Sequence, residues 1–168
     1  NRGNVSMKKI FSALLLIFLA AILTPQHLYA QENKANLLGE KSLTEGYTIS
    51  RNSTNMIINR VTSDLLQLTS ASLMDLGDQR LRVYGEAYTF DIVDEIRIEL
   101  RLQRWTGSSW DTIKTWKTTQ YDDDSADLSI VYYGANKGDK YRVIGYYTVY
   151  DNGKKETDQR TTEYIVVK

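Results

Sequence analysis

Three tryptophans, Trp105, Trp110 and Trp116, fall within twelve residues of one another, and they are the side chains best suited to hold a ligand. Indole and phenol rings stack on the apolar faces of sugars with few rotamers to freeze, and guanidinium groups fork onto carboxylates or phosphates. Arg101 and Lys114 stand beside the indoles, and a later segment alternates Arg142, Ile144, Tyr146, Thr148 and Tyr150. Brought to one sheet face, Trp105, Trp110, Trp116, Arg101, Tyr146 and Tyr150 make a candidate ligand-binding platform, because large exposed apolar patches mark partners or ligands. A purely structural role competes with this. Cross-strand aromatic pairs stabilise hairpins by about 0.2–1 kcal/mol each without any ligand, and the segment 55–74 is long enough to cover the face.

Carboxylates are the second candidate chemistry. The run Tyr121–Asp127 carries four of them in six positions. Hard oxygen ligands suit Ca²⁺, yet the run has neither the alternating ligand spacing nor the central Gly of an EF-hand loop. It reads as a solvated acidic loop that protects the neighbouring strand, with a Ca²⁺ site at Asp122, Asp124 and Asp127 as the alternative. Two acids about 5–10 Å apart suffice for glycoside hydrolysis. The chain has 21 acids, and no spacing singles out a pair, so a carboxylate-based hydrolase is only an alternative to a non-enzymatic role.

The absences exclude more. There is no Cys, the only His is His27 and the only Pro is Pro25. Beyond residue 30, histidine-assisted Ser or Cys nucleophiles and the usual thiolate or imidazole zinc sites are therefore ruled out in cis. No cofactor is expected.

Residues 1–30 read as an export signal, with Met7 as the natural start. Lys8 and Lys9 precede an apolar run from Ile10 to Leu23, interrupted by Ser12, and Leu28-Tyr29-Ala30 ends it with a small residue at the cut. This is the pattern of a secretory leader. Fourteen residues fall short of the roughly 18 a membrane span needs, so membrane contact is expected only through the signal. Cleavage after Ala30 leaves 138 residues, with 18 basic against 21 acidic side chains and a net charge of −3. That length is one domain, and that charge exerts no general pull on nucleic acid. An exported domain without Cys is held by its core alone.

The elements that must position these side chains are strands. Residues 31–54 read as a flexible lead-in before a domain at 55–168, with short strands at 55–63 and 66–74. Asn52-Ser53-Thr54 fits a glycosylation acceptor pattern, which a bacterial-type leader makes incidental. Leu81, Val83 and Gly85 alternate with Arg80, Arg82 and Tyr84, and Ile96, Ile98, Leu100 and Leu102 alternate with Arg97, Glu99, Arg101 and Gln103. Strand geometry puts each apolar set on one face, whereas helical spacing would scatter the charges. Thr106-Gly107-Ser108-Ser109 reads as a four-residue hairpin loop, with the chain returning over 110–118. If that register runs on regularly, Trp105 faces Trp110, Leu102 faces Ile113 and Glu99 faces Trp116, so all three indoles share the outer face. Leu128–Tyr133 and Tyr141–Tyr150 are further strands, and Asn152-Gly153 is a strong two-residue hairpin signal toward a last strand at 156–167. About seven short strands with frequent turns predict an all-β antiparallel sandwich.

Gly138-Asp139-Lys140-Tyr141-Arg142-Val143 resembles the start of the F strand in immunoglobulin-like and fibronectin-type-III-like domains, where a Tyr hydroxyl bonds back to the preceding corner. That resemblance implies that Tyr141, Val143, Tyr147 and Val149 face inward, with Gly145 leaving room for a bulky neighbour. The buried strand-C Trp and paired cysteines of that family have no counterpart here. Leu100-Arg101-Leu102-Gln103-Arg104-Trp105 with Gly107, Ser109-Trp110, Ile113 and Trp116, together with 138–145, resembles a group of small exported Firmicutes proteins of unassigned function. The likeness spans 37–168 and implies fold and export without lending a site. The combined expectation is a secreted binding or adhesion domain for a cell-wall glycan or another surface protein, with a structural or self-associating extracellular protein as the alternative.

Overall fold

Oily and charged residues alternate so persistently over residues 80–105 that the two strands expected there are one. The computed structural model describes residues 37–53 and 63–168, and every strand with assigned bounds lies in the compact unit 39–168. The leader expected over 1–30 and nearly all of the strand expected at 55–63 lie outside the described residues. Seven strands run in order: β1 (Tyr47–Ser53), β2 (Leu66–Gly77), β3 (Arg80–Trp105), β4 (Trp110–Tyr133), β5 (Lys140–Asp151), β6 (Lys154–Thr161) and β7 (Ile165–Val166). The segment read as lead-in thus carries β1, and the run 121–127 read as an acidic loop is strand in the middle of β4.

All pairings between these strands are antiparallel, and they join in a single sheet ordered β1-β2-β3-β5-β6, with β4 on β3 and β7 on β5. One edge of β3 is covered by β4. The other edge is shared: residues 80–89 pair with β2, and residues 95–104 pair with β5. Between the halves, residues 89–92 of β3 lie opposite the single Asp124 of β4, a bulge that bends the ribbon and steepens its twist. Tyr133 lies beside Arg80, yet Tyr141 lies beside Arg104. A flat strand would hold Arg80 and Arg104 about 80 Å apart, whereas the short link from Tyr133 to Lys140 reaches at most about 25 Å. The sheet must therefore curl until the two ends of β3 approach each other.

The turns follow their residues. Asp78 and Gln79 adopt φ of 51° and 59° between β2 and β3, and Asn152 and Gly153 adopt 48° and 76° between β5 and β6, the paired left-handed geometry that matches strand twist in two-residue hairpins.

The curl closes over Leu73, Leu81 and Val83 from one half and Ile96, Ile98, Leu100, Leu102, Val143 and Val149 from the other. As the F-strand resemblance implies, Tyr141, Val143, Tyr147 and Val149 are all buried, and the Tyr141 hydroxyl accepts a 3.0 Å hydrogen bond from the Asn136 N–H at the preceding corner. Tyr147 is the central bolt. Its hydroxyl, buried in the core, donates to the Ser70 carbonyl across the curl. Its ring lies where a side chain on Gly145 would be, and its oxygen is 3.1 Å from the position a Cβ on Gly85 would take.

Candidate binding face

The side of the β3–β5 ribbon opposite the core carries rows of rings and charges. Register places Glu95 beside Tyr150, Glu99 beside Tyr146 and Gln103 beside Arg142, while Trp105 faces Trp110 across the β3–β4 hairpin. Directly paired residues share a sheet face. Five of the six residues expected on the platform, Trp105, Trp110, Arg101, Tyr146 and Tyr150, do lie there, each partly exposed.

Trp116 does not. Gln103 faces Thr112 but Leu102 faces Lys114, leaving Ile113 as an extra residue on β4. One inserted residue reverses which face every later side chain takes. Trp116 consequently sits opposite Leu100, packs against the core and meets Tyr132 edge-on at 6.4 Å, closing the curl beside β4. Lys114 leaves the outer face by the same shift, and Lys117 takes its place there, 2.7 Å from Glu99. Ile144, expected outward, does point to this side but is only 8% exposed beneath its neighbours.

Cations lie over the rings in a ladder. The Arg97 guanidinium is 4.9 Å from the Tyr150 centroid, Arg101 is 4.6 Å from Tyr146, and Arg142 is 4.4 Å from Trp110. Stacked guanidinium keeps its in-plane N–H groups available while its face is covered. In the two lower rungs those groups are already used. Arg97 pairs with Glu95, and Arg101 donates to Glu99 at 2.6 Å. Hydrogen bonds from Lys117 and then Arg101 hold the Glu99 carboxyl below the ordinary carboxylate range against the opposing push of burial.

The top rung, at the hairpin tip, is built differently. Trp105 and Trp110 lie 5.4 Å apart with planes tilted by 58°, and Tyr164, from the β6–β7 link, stands 6.3 Å from Trp110. Buried Gln103 donates to the Thr112 hydroxyl at 3.1 Å and accepts from Arg142 Nε at 2.9 Å. This relay fixes the guanidinium against the indole. Burial pushes the Arg142 value down, and no carboxylate pairs with it among the described residues. Hydroxyls rim the tip: Thr106 Oγ1 accepts from the Ser108 and Ser109 N–H groups at 3.4 and 3.1 Å in the loop. The outward position of Arg142 was legible from its alternation with Tyr141 and Val143. Its partner Gln103, and Tyr164 beside Trp110, were not, because they come from distant parts of the chain.

The acidic run assembles no ligand set. Among the described residues no three His, Cys, Asp or Glu side chains converge on a point, because strand geometry sends successive side chains to opposite faces. Asp122, Asp124 and Asp127, the alternative Ca²⁺ ligands, are strand residues of β4. Asp123 instead accepts from the Asp124 N–H at 2.8 Å and from Gln120 Nε2 at 3.1 Å, which holds its carboxyl below the usual range. A hollow of about 280 Å³ beside it is lined by Asp127, Tyr84 and Tyr88. Among the described residues no helix is long and apolar enough to cross a membrane. No family model matches the chain, and no curated protein matches it.

Proposed function

We propose that this chain is a secreted, non-enzymatic binding domain that presents the outer β3–β5 face to a glycan of the cell wall or of another cell surface. In this reading the curled sheet serves as an immunoglobulin- or fibronectin-like module, and the leader at 1–30 delivers it outside. The observation that carries the proposal is the Trp105–Trp110 pair, partly exposed at a hairpin tip and steadied from below by Arg142. Two tilted indoles form an angled apolar cleft that suits the faces of a sugar, and the Thr106, Ser108 and Ser109 hydroxyls beside them suit its rim. Incubation with insoluble peptidoglycan is expected to retain the protein, and a panel of soluble neutral and acidic glycans is expected to include one that changes its tryptophan emission. Trp105→Ala is expected to abolish retention while leaving the circular dichroism spectrum unchanged. Retention that survives Trp105→Ala, or no retention on any glycan, removes the proposal.

A second reading, self-association, is favoured by one observation. Strand β4 spans 24 residues with no proline and pairs only with β3 among the described residues. Such an unpaired edge is a template for another strand. Light scattering across a concentration series that finds only monomer eliminates it.

A further inference from the structure

We infer that the Arg142 guanidinium at the hairpin tip is a carboxylate-binding fork, so that the ligand of this face is an acidic sugar, a uronic-acid glycan, rather than a neutral one. The inference rests on the binding-face reading and names the substrate class that the face would choose.

Of the four arginines where β3 pairs with β5, three have an acid in place. Arg97 has Glu95, Arg101 has Glu99 at 2.6 Å, and Arg104 has Asp139 at 3.7 Å. Arg142 has none among the described residues. It is nevertheless held in place. Its Nε is committed to Gln103, whose amide is held by Thr112, and its Cζ lies 4.4 Å from the Trp110 centroid. The terminal Nη groups retain their N–H donors, and these are the pair that grips a carboxylate in two parallel bonds. Partial burial without a counter-charge disfavours the cation, consistent with the lowered Arg142 value. An incoming carboxylate would relieve that cost, whereas a neutral ligand would deepen it.

The neighbouring rings narrow the ligand further. A carboxylate held in the plane of Arg142 brings whatever carries it beside Trp110, the ring that this guanidinium covers. A pyranose ring presents an apolar face to stack there and hydroxyls to meet Thr106, Ser108 and Ser109. A peptide terminus supplies the carboxylate without that flat face, so the observations favour the sugar acid.

The test compares a galacturonate hexamer with a neutral cello-hexamer by tryptophan fluorescence and calorimetry on the same protein. The acidic hexamer is expected to bind at least tenfold more tightly. Arg142→Ala is expected to erase that preference, and Arg142→Lys, which keeps the charge but loses the fork, to recover less than half of it on a logarithmic scale. A circular dichroism melt of each variant verifies folding. If both hexamers bind equally and Arg142→Ala changes neither affinity, the carboxylate fork is wrong while the glycan face stands. If neither hexamer nor any other glycan binds, both readings fall. If a peptide carboxylate binds through Arg142 and the hexamers do not, the sugar-acid assignment is overturned.

Discussion

The two faces of the β3–β5 ribbon are made from the same strands but obey different rules. On the inner face, Leu100, Leu102, Val143, Tyr147 and Val149 are buried to within one or two per cent and interlock with the opposite half of the curl. On the outer face, Arg97, Arg101, Tyr146 and Tyr150 cover one another in layers that each contain their own counter-charge. Interior packing tolerates almost no change in volume, while exposed ion pairs contribute little to stability. The fold is therefore set by one face, which leaves the other free to vary.

Substitutions can sharpen or break this division. Tyr147→Ala removes the ring between Gly145 and Gly85 together with the Ser70 hydrogen bond, and is expected to cost about 3–5 kcal/mol in urea unfolding. Gly85→Ala is the milder inner-face change. Its Cβ would stand 2.6 Å from Leu100 Cδ2, forcing the leucine or the strand to shift at about 1–3 kcal/mol. A loss under 0.5 kcal/mol for either would mean that the inner face is looser than its packing implies, and the contrast would fail.

The outer face is expected to respond least, and to pH. The folded Glu99 carboxyl lies below its ordinary value of 4.5. Its pairing therefore stabilises above that value and is lost as pH falls through the folded one. Glu99→Gln is expected to cost less than about 1 kcal/mol at neutral pH. That difference should begin to shrink below the ordinary value and vanish only below the folded one, read as converging urea midpoints for variant and parent. A difference that grows on acidification would reverse the assignment.

Much of the β character could be read along the chain. The period-two alternation from Ile96 to Leu102, the Thr106–Ser109 loop, the Asn152-Gly153 turn and the inward Tyr141 and Tyr147 all appear where local chemistry places them. The errors come from register and pairing. Alternation reports that two faces exist, but a bulge changes the phase without leaving a mark in the pattern. Ile113 turned Trp116 from the outer face to the core. The bulge at 89–92 let two short predicted strands become one, and pairing with β3 drew the acidic run 121–127 into β4.

The amino-acid order by itself determined that the chain forms strands, which residues prefer burial, and that thiol and imidazole chemistry is absent beyond residue 30. Those are properties of side chains and of their nearest neighbours along the chain. Tertiary structure alone decided that one sheet curls back on itself, that two indoles rather than three share the outer face, and that Arg142 meets Gln103 instead of an acid. Each of these depends on register between strands far apart in sequence, where the insertion of one residue exchanges inside for outside.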